Sequence, residues 1–138
     1  MTDLSDRLSE AVDELSRLPD IKSAAVVRRD GFVITHTLPN YVDPRTVAAM
    51  TAAIVGTSEM AAAQLDQGHF ARAIIESENG KLLSMGAGDE ALLVTIVHHD
   101  ANLGLVLWAM ERTAKRVIQI IQAGGTLLTS RGDWLDEV

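Results

Sequence analysis

No cysteine occurs anywhere in the chain, which excludes a disulfide framework, a thiolate metal site and a cysteine nucleophile. Aromatic residues are also sparse, at 4% of the sequence. The hydrophobic content of 47% therefore comes from Val, Ile, Leu, Met and Ala, enough to build a core for one domain of 138 residues. Basic charge is in deficit: 12 Lys and Arg stand against 19 Asp and Glu, a net charge of −7. Phosphate backbones repel such a chain unless its cations are concentrated. Here Arg28-Arg29, Arg112 and Lys115-Arg116 are scattered and fit solvated surface charge, so no nucleic-acid partner is expected. The first twenty residues lack the basic start and apolar stretch of a secretory signal, which makes the cytoplasm the expected location.

The scarcest commodity is charge between positions 46 and 65, where Glu59 is the one ionisable side chain in a chain that is 22% charged. As a helix this segment has two opposed apolar faces. Val47, Met50, Ile54, Ala61 and Leu65 form the face of large residues, expected on the core. Ala49, Ala52, Ala53, Gly56, Met60 and Ala63 form a flat stripe along which another backbone could approach, with Glu59 on its shoulder. A domain of this size seldom has material to cover both sides, so one face is expected on the sheet and the other on a partner. A membrane span is a poor alternative. Three Thr, a Ser, a Gln, a Glu and seven Ala leave too little apolar bulk, and no membrane insertion is expected.

Periodicity divides the rest. Leu4, Leu8, Ala11, Val12, Leu15 and Leu18 line one face of a helix over residues 3–18, ended by Pro19. Residues 21–29 and 32–38 are β-rich, and the Asp30-Gly31 between them suits a type I′ hairpin. Asp43-Pro44 starts the uncharged helix as N-cap and first helical residue, and Gly68 is its expected left-handed cap. Strands are expected at 70–77 and 81–85, joined through Asn79-Gly80, then at 91–98 as a central strand and at 103–108. A last helix spans 112–122, with Ala114, Val117, Ile118 and Ile121 inward. Short turns between strand neighbours suggest an antiparallel meander covered by helices, an α+β domain over residues 1–125 followed by an acidic tail at 126–138.

Chemistry is hard to find. His98-His99-Asp100 is the one cluster of metal-competent side chains, but adjacent strand residues face opposite ways, so no metal is expected. Gly86 and Gly88 lack the third glycine and the Lys-Ser/Thr of a phosphate loop. Ser58, Ser84 and Ser130 carry no nucleophile-elbow signature. Arg131-Gly132-Asp133 is read as a chance tripeptide. Trp134-Leu135, flanked by acids, is either a short docking segment or a tail packed weakly on its own domain. Nothing assembles nucleophile, base and oxyanion donors. A binding module is expected, with no catalytic residues and no cofactor.

Several stretches together resemble the Roadblock/dynein light-chain family over about residues 4–122. They are Ile21-Lys22-Ser23-Ala24-Ala25-Val26-Val27-Arg28-Arg29-Asp30-Gly31, the small-residue helix, the turn between Glu76 and Lys81, and Asn102-Leu103-Gly104-Leu105 before the last helix. Their order and spacing carry the likeness. The resemblance implies a profilin-like α/β/α sandwich. Its five-stranded antiparallel sheet would run in the order 2-1-5-4-3, with the long helix on one face and the N- and C-terminal helices on the other. It implies a homodimer joined through third strands and second helices. Here the edge would carry Phe70, Arg72, Ile74, Ile75 and Glu76, and the helix Ala49, Ala52, Ala53, Gly56, Glu59, Met60 and Ala63. Prokaryotic members are associated with Ras-like small GTPases as regulators or scaffolds in signalling, with GTPase contacts largely on the paired second helices. The chain itself, without a P-loop, is not expected to bind GTP. Two other readings stand beside this one: a structural adaptor without GTPase dependence, and a small-ligand sensor using the loop at 86–90 and His36.

Overall fold

The computed structural model describes residues 3–124; the expected tail at 126–138, with Ser130, Arg131-Gly132-Asp133 and Trp134-Leu135, lies outside the described residues. Eight elements follow in order: α1 (Leu4–Ser16), β1 (Ile21–Arg28), β2 (Val33–His36), α2 (Pro44–Gln64), β3 (Ala73–Ser77), β4 (Gly80–Gly86), β5 (Ala91–His98) and α3 (Leu103–Gly124). The strands form one antiparallel sheet in the order β2-β1-β5-β4-β3. It is not a simple meander. β1 pairs with β5 through a register running from Ile21 opposite Val97 to Arg28 opposite Ala91, and α2 carries the chain from the β2 edge to the β3 edge.

The centre of this order dictates the layers. β1 and β5 have neighbours on both sides and are apolar on both faces, so alternate residues feed two cores. Ala24, Val26, Leu93 and Val97 join Leu8, Val12, Val106, Met110 and Val117 of α1 and α3. Ala25, Val27, Leu92 and Val94 meet Val47, Ala48 and Val55 of α2. The first core is the larger; the second is a single helix lying on a sheet.

Local chemistry fixes the helix ends. The Asp3 carboxylate accepts the Asp6 N–H at 2.8 Å and starts α1. Asp43 accepts the Arg45 N–H at 2.9 Å and starts α2, with Pro44 in its first turn. That backbone bond holds the Asp43 carboxyl below its usual pKa. A carboxylate whose folded pKa is depressed contributes at neutral pH, and its contribution is lost as the pH falls through the acid range.

Five local expectations are corrected. The run at 103–108 is the start of α3, because Asn102 caps it, its Oδ1 accepting from the Leu105 N–H at 3.2 Å, and Val106, Ala109 and Met110 continue a helical burial period. The β1–β2 turn is not type I′. Gly31 has φ +94° while Asp30 does not have positive φ, and the Arg28 N–H meets the Phe32 carbonyl at 2.7 Å. This is a three-residue loop with glycine at its left-handed position. The β3–β4 hairpin forms as expected, but Ser77 pairs directly with Gly80, so the turn is Glu78-Asn79 rather than Asn79-Gly80. Asp66, not Gly68, caps α2. It has φ +59°, and the Gln67 N–H reaches the Ala62 carbonyl at 2.8 Å while the Asp66 N–H reaches Ala63 at 3.2 Å, a Schellman arrangement. Finally, β3 begins at Ala73, so Phe70 and Arg72 precede the edge strand, with Phe70 tucked against the α2 core.

Gly80 has a different task from the one its neighbour Asn79 suggested. A Cβ there would stand 2.7 Å from the Val97 carbonyl oxygen of β5, so glycine permits the close strand approach. Gly80→Ala is expected to cost about 1–3 kcal/mol, read as a lower urea midpoint at unchanged m-value.

Candidate functional site

Burial along α2 marks its inner face as Val47, Ala48, Thr51 and Val55. Small and β-branched residues, rather than the largest ones, meet the sheet, and the helix lies close: Gly31 of the β1–β2 turn sits so near that a Cβ there would be 3.6 Å from the Ala49 Cα. Met50, Ala61 and Leu65, expected on the core, are exposed, Met50 by 48% and Leu65 by 68%; ranking positions by size rotated the expected inner face. Ile54 is partly buried. On the opposite stripe Ala49, Ala53, Met60 and Ala63 are exposed, while Ala52, Gly56 and Glu59 are half-buried. At Gly56 an added Cβ would meet nothing within 4 Å. The free face of α2 is therefore broader and more apolar than the stripe expected from sequence, with Met50, Met60 and Leu65 standing among alanines.

By length and composition this is the one helix among the described residues apolar enough to cross a membrane. Its inner face, however, packs on β1 and β5 through Val47, Ala48 and Val55.

Between positions 46 and 65 the single charge, Glu59, is neutralised internally. Arg29, just past β1, donates from Nη1 to both Glu59 oxygens at 2.9 and 3.0 Å. Its Nε and Nη2 reach the Gly88 carbonyl at 3.3 and 3.2 Å, and its N–H bonds the Glu90 carbonyl at 3.0 Å. One guanidinium so ties α2 to the β4–β5 loop: Nη1 meets both carboxylate oxygens while Nε and Nη2 hold the Gly88 carbonyl, a division of donors across one plane that suits arginine and not lysine. Arg29 was read from sequence as solvated charge. The available signal was Glu59 itself, a lone carboxylate on an uncharged helix, for which a cation had to be found.

At the sheet edge, Ile74 and Ile75 project to opposite faces, and both are about two-fifths exposed, so the helix layers cover β3 only in part. Glu76 is exposed beside them. Arg72 is engaged with Glu111 of α3 at 3.1 Å. The positions that suggested a ligand sensor are used internally: His36 Nδ1 accepts the Leu38 N–H at 3.0 Å, and the 86–90 loop is held by Arg29. No group of three or more His, Asp or Glu is placed to hold a metal among the described residues. Among the described residues the structure thus leaves two surfaces exposed, the outer face of α2 and the edge of β3, and α2 carries the chain across the sheet to that edge.

Comparisons with known proteins agree with this architecture. A family model described as the Roadblock/LC7 domain matches residues 7–97. An uncharacterized protein of Methanocaldococcus jannaschii is 39% identical over 104 residues, covering 75% of this chain and 90% of that protein. The structure of Myxococcus xanthus MglB superposes with a TM-score of 0.82 over 88% of this chain and 92% of its own, at 20% identity. Schizosaccharomyces pombe profilin superposes with a TM-score of 0.61 over 82% and 98%, at 14% identity. At such identities these two likenesses show a shared fold, and the fold is profilin-like.

The Arg29 grip carries its own test. Arg29→Ala and Glu59→Ala are each expected to lower stability by about 1 kcal/mol, the pair being partly solvated, and the double variant by less than the sum. Additive losses in urea denaturation would mean that the two side chains do not act together.

Proposed function

Because the chain belongs to the Roadblock/LC7 domain family, we propose that it is a non-catalytic homodimeric platform that regulates or scaffolds a Ras-like small GTPase. The observation that carries this reading is the outer face of α2 beyond its first turn, where Met50 and Met60 are exposed and the one carboxylate, Glu59, is taken by Arg29. An apolar surface of that length fits a protein partner. A stripe about 30 Å long and 10 Å wide offers on the order of 300 Å², short of the roughly 800 Å² per partner typical of a stable complex. The β3 edge, with Ile74, Ile75 and Glu76, is the natural supplement, and pairing it with a second copy also removes an aggregation hazard.

On this proposal Ala49, Ala52, Ala53, Gly56, Glu59, Met60 and Ala63 are divided between the second copy and the GTPase, while Phe70 and Arg72 support the edge from beside it. The GTPase association comes from the family's prokaryotic members. Regulation would be indirect: a platform that binds one arrangement of a GTPase's mobile loops more tightly than another shifts its nucleotide state and needs no arginine finger of its own. The pairing of Arg72 with Glu111 supports that, since the edge arginine is already occupied. The site of action is the cytoplasm, and the working domain is residues 1–125.

Light scattering after size separation tests both parts. The purified chain should run as a dimer, Ala53→Glu and Ile75→Asp should each shift it to monomer, and the mass of the complex should rise with a Ras-like GTPase loaded with GDP or with a GTP analogue, not equally with both. A dimer untouched by both substitutions would refute the interface. A dimer that ignores the GTPase in both nucleotide states would favour an adaptor.

A further inference from the structure

The opposite face of the molecule holds a cleft of about 540 Å³ between the C-terminal half of α1 and the middle of α3. Leu15 of α1 and Leu18 just beyond it form its apolar floor, and Trp108, 55% exposed, stands at its wall. Three cations line it, Arg112, Lys115 and Arg116, against one carboxylate, Glu14, which Arg116 already engages. The cleft is thus net positive in a chain of net charge −7. Arg112 stacks its guanidinium over the Trp108 ring, 4.9 Å from the centroid, presenting a cation and an aromatic face together.

One sequence in the chain has the complementary pattern. Asp133, Asp136 and Glu137 flank Trp134 and Leu135, three acids around two large apolar side chains. The reach is sufficient. Along α3, Gly124 lies about 14–18 Å from Lys115 and Arg112 at about 1.5 Å per residue, and the nine residues from Gly124 to Asp133 can span up to about 30 Å. The tether also keeps that segment at a high effective concentration near the cleft.

We propose that the α1–α3 cleft is the docking site for the chain's own 133–137 segment, the acids meeting Arg112 and Lys115 and the apolar pair meeting Leu15, Leu18 and Trp108. This surface lies on the other side of the sheet from α2. Its occupation is independent of the platform reading, and either can fail alone.

The test uses an arginine-specific protease on the full chain, with cleavage after Arg131 followed by mass spectrometry as release of residues 132–138. Docking slows that cleavage. The variant Arg112→Glu with Lys115→Glu should speed release about fivefold or more at low salt, with circular dichroism confirming that the helices persist. Adding Asp136→Lys and Glu137→Lys in the same chain reverses both partners and should restore slow release. Equal rates in the native chain and the cleft variant would overturn the proposal, as would fast release that the tail reversal fails to slow. Protection that depends on protein concentration would give the cleft to a second copy's tail and overturn docking within one chain.

Discussion

A helix can lie on a sheet with one side only, and α2 has two apolar sides. Val47, Ala48, Thr51 and Val55 go to the sheet, and what remains is a surface of alanines with Met50, Met60 and Leu65 exposed. The other helices do not face this difficulty. α1 and α3 lie against each other and the same sheet face, joining Leu8, Val12, Met110 and Val117 in one core, so most of their apolar surface is buried within the chain, with Leu105 and Trp108 of α3 left exposed. The asymmetry of the layers, two helices on one side and one on the other, leaves α2 alone with its second face.

Arg29 completes that surface from within. A carboxylate left bare on an apolar face would need its water shell stripped before any partner could approach. The guanidinium grips Glu59 through both oxygens and holds the Gly88 carbonyl as well, so the charge is paired beforehand, and the β4–β5 loop is fastened to α2 by the same side chain. Gly31 and Gly80 make complementary contributions from the backbone: one takes the positive φ that the β1–β2 turn requires, the other lets β4 approach β5.

Much of this was legible in the sequence because it depends on patterns with a fixed period. The burial of α1, the two-sided apolarity of β1 and β5, the Asp43-Pro44 start and the charge deficit of α2 all follow from local residue order. The readings that failed depended on something nonlocal or on competition between close alternatives. Leu103, Leu105 and Leu107 alternate like a strand, yet Asn102 and the spacing of Val106, Ala109 and Met110 give a helix. Met50 and Leu65 seemed inward because of their size, but a sheet approached closely by a helix accepts Ala48 and Thr51 more readily. Asp66 took the left-handed cap that Gly68 was expected to supply, because the geometry of the last turn selects the position and the residue there must comply. Arg29 could not be paired with Glu59 from order alone, since thirty positions separate them.

The proposed interface sets α2 against a second α2. The absence of cysteine makes the decisive measurement direct: a single Thr57→Cys substitution, at an exposed position on the helix, carries one spin label per chain, and dipolar spectroscopy reads the distance between copies. Helices packed side by side sit about 8–10 Å apart, so a distribution centred below about 25 Å, label arms included, is the predicted result. A protein that gives no component below that distance would contradict the assignment of this face to a two-fold interface.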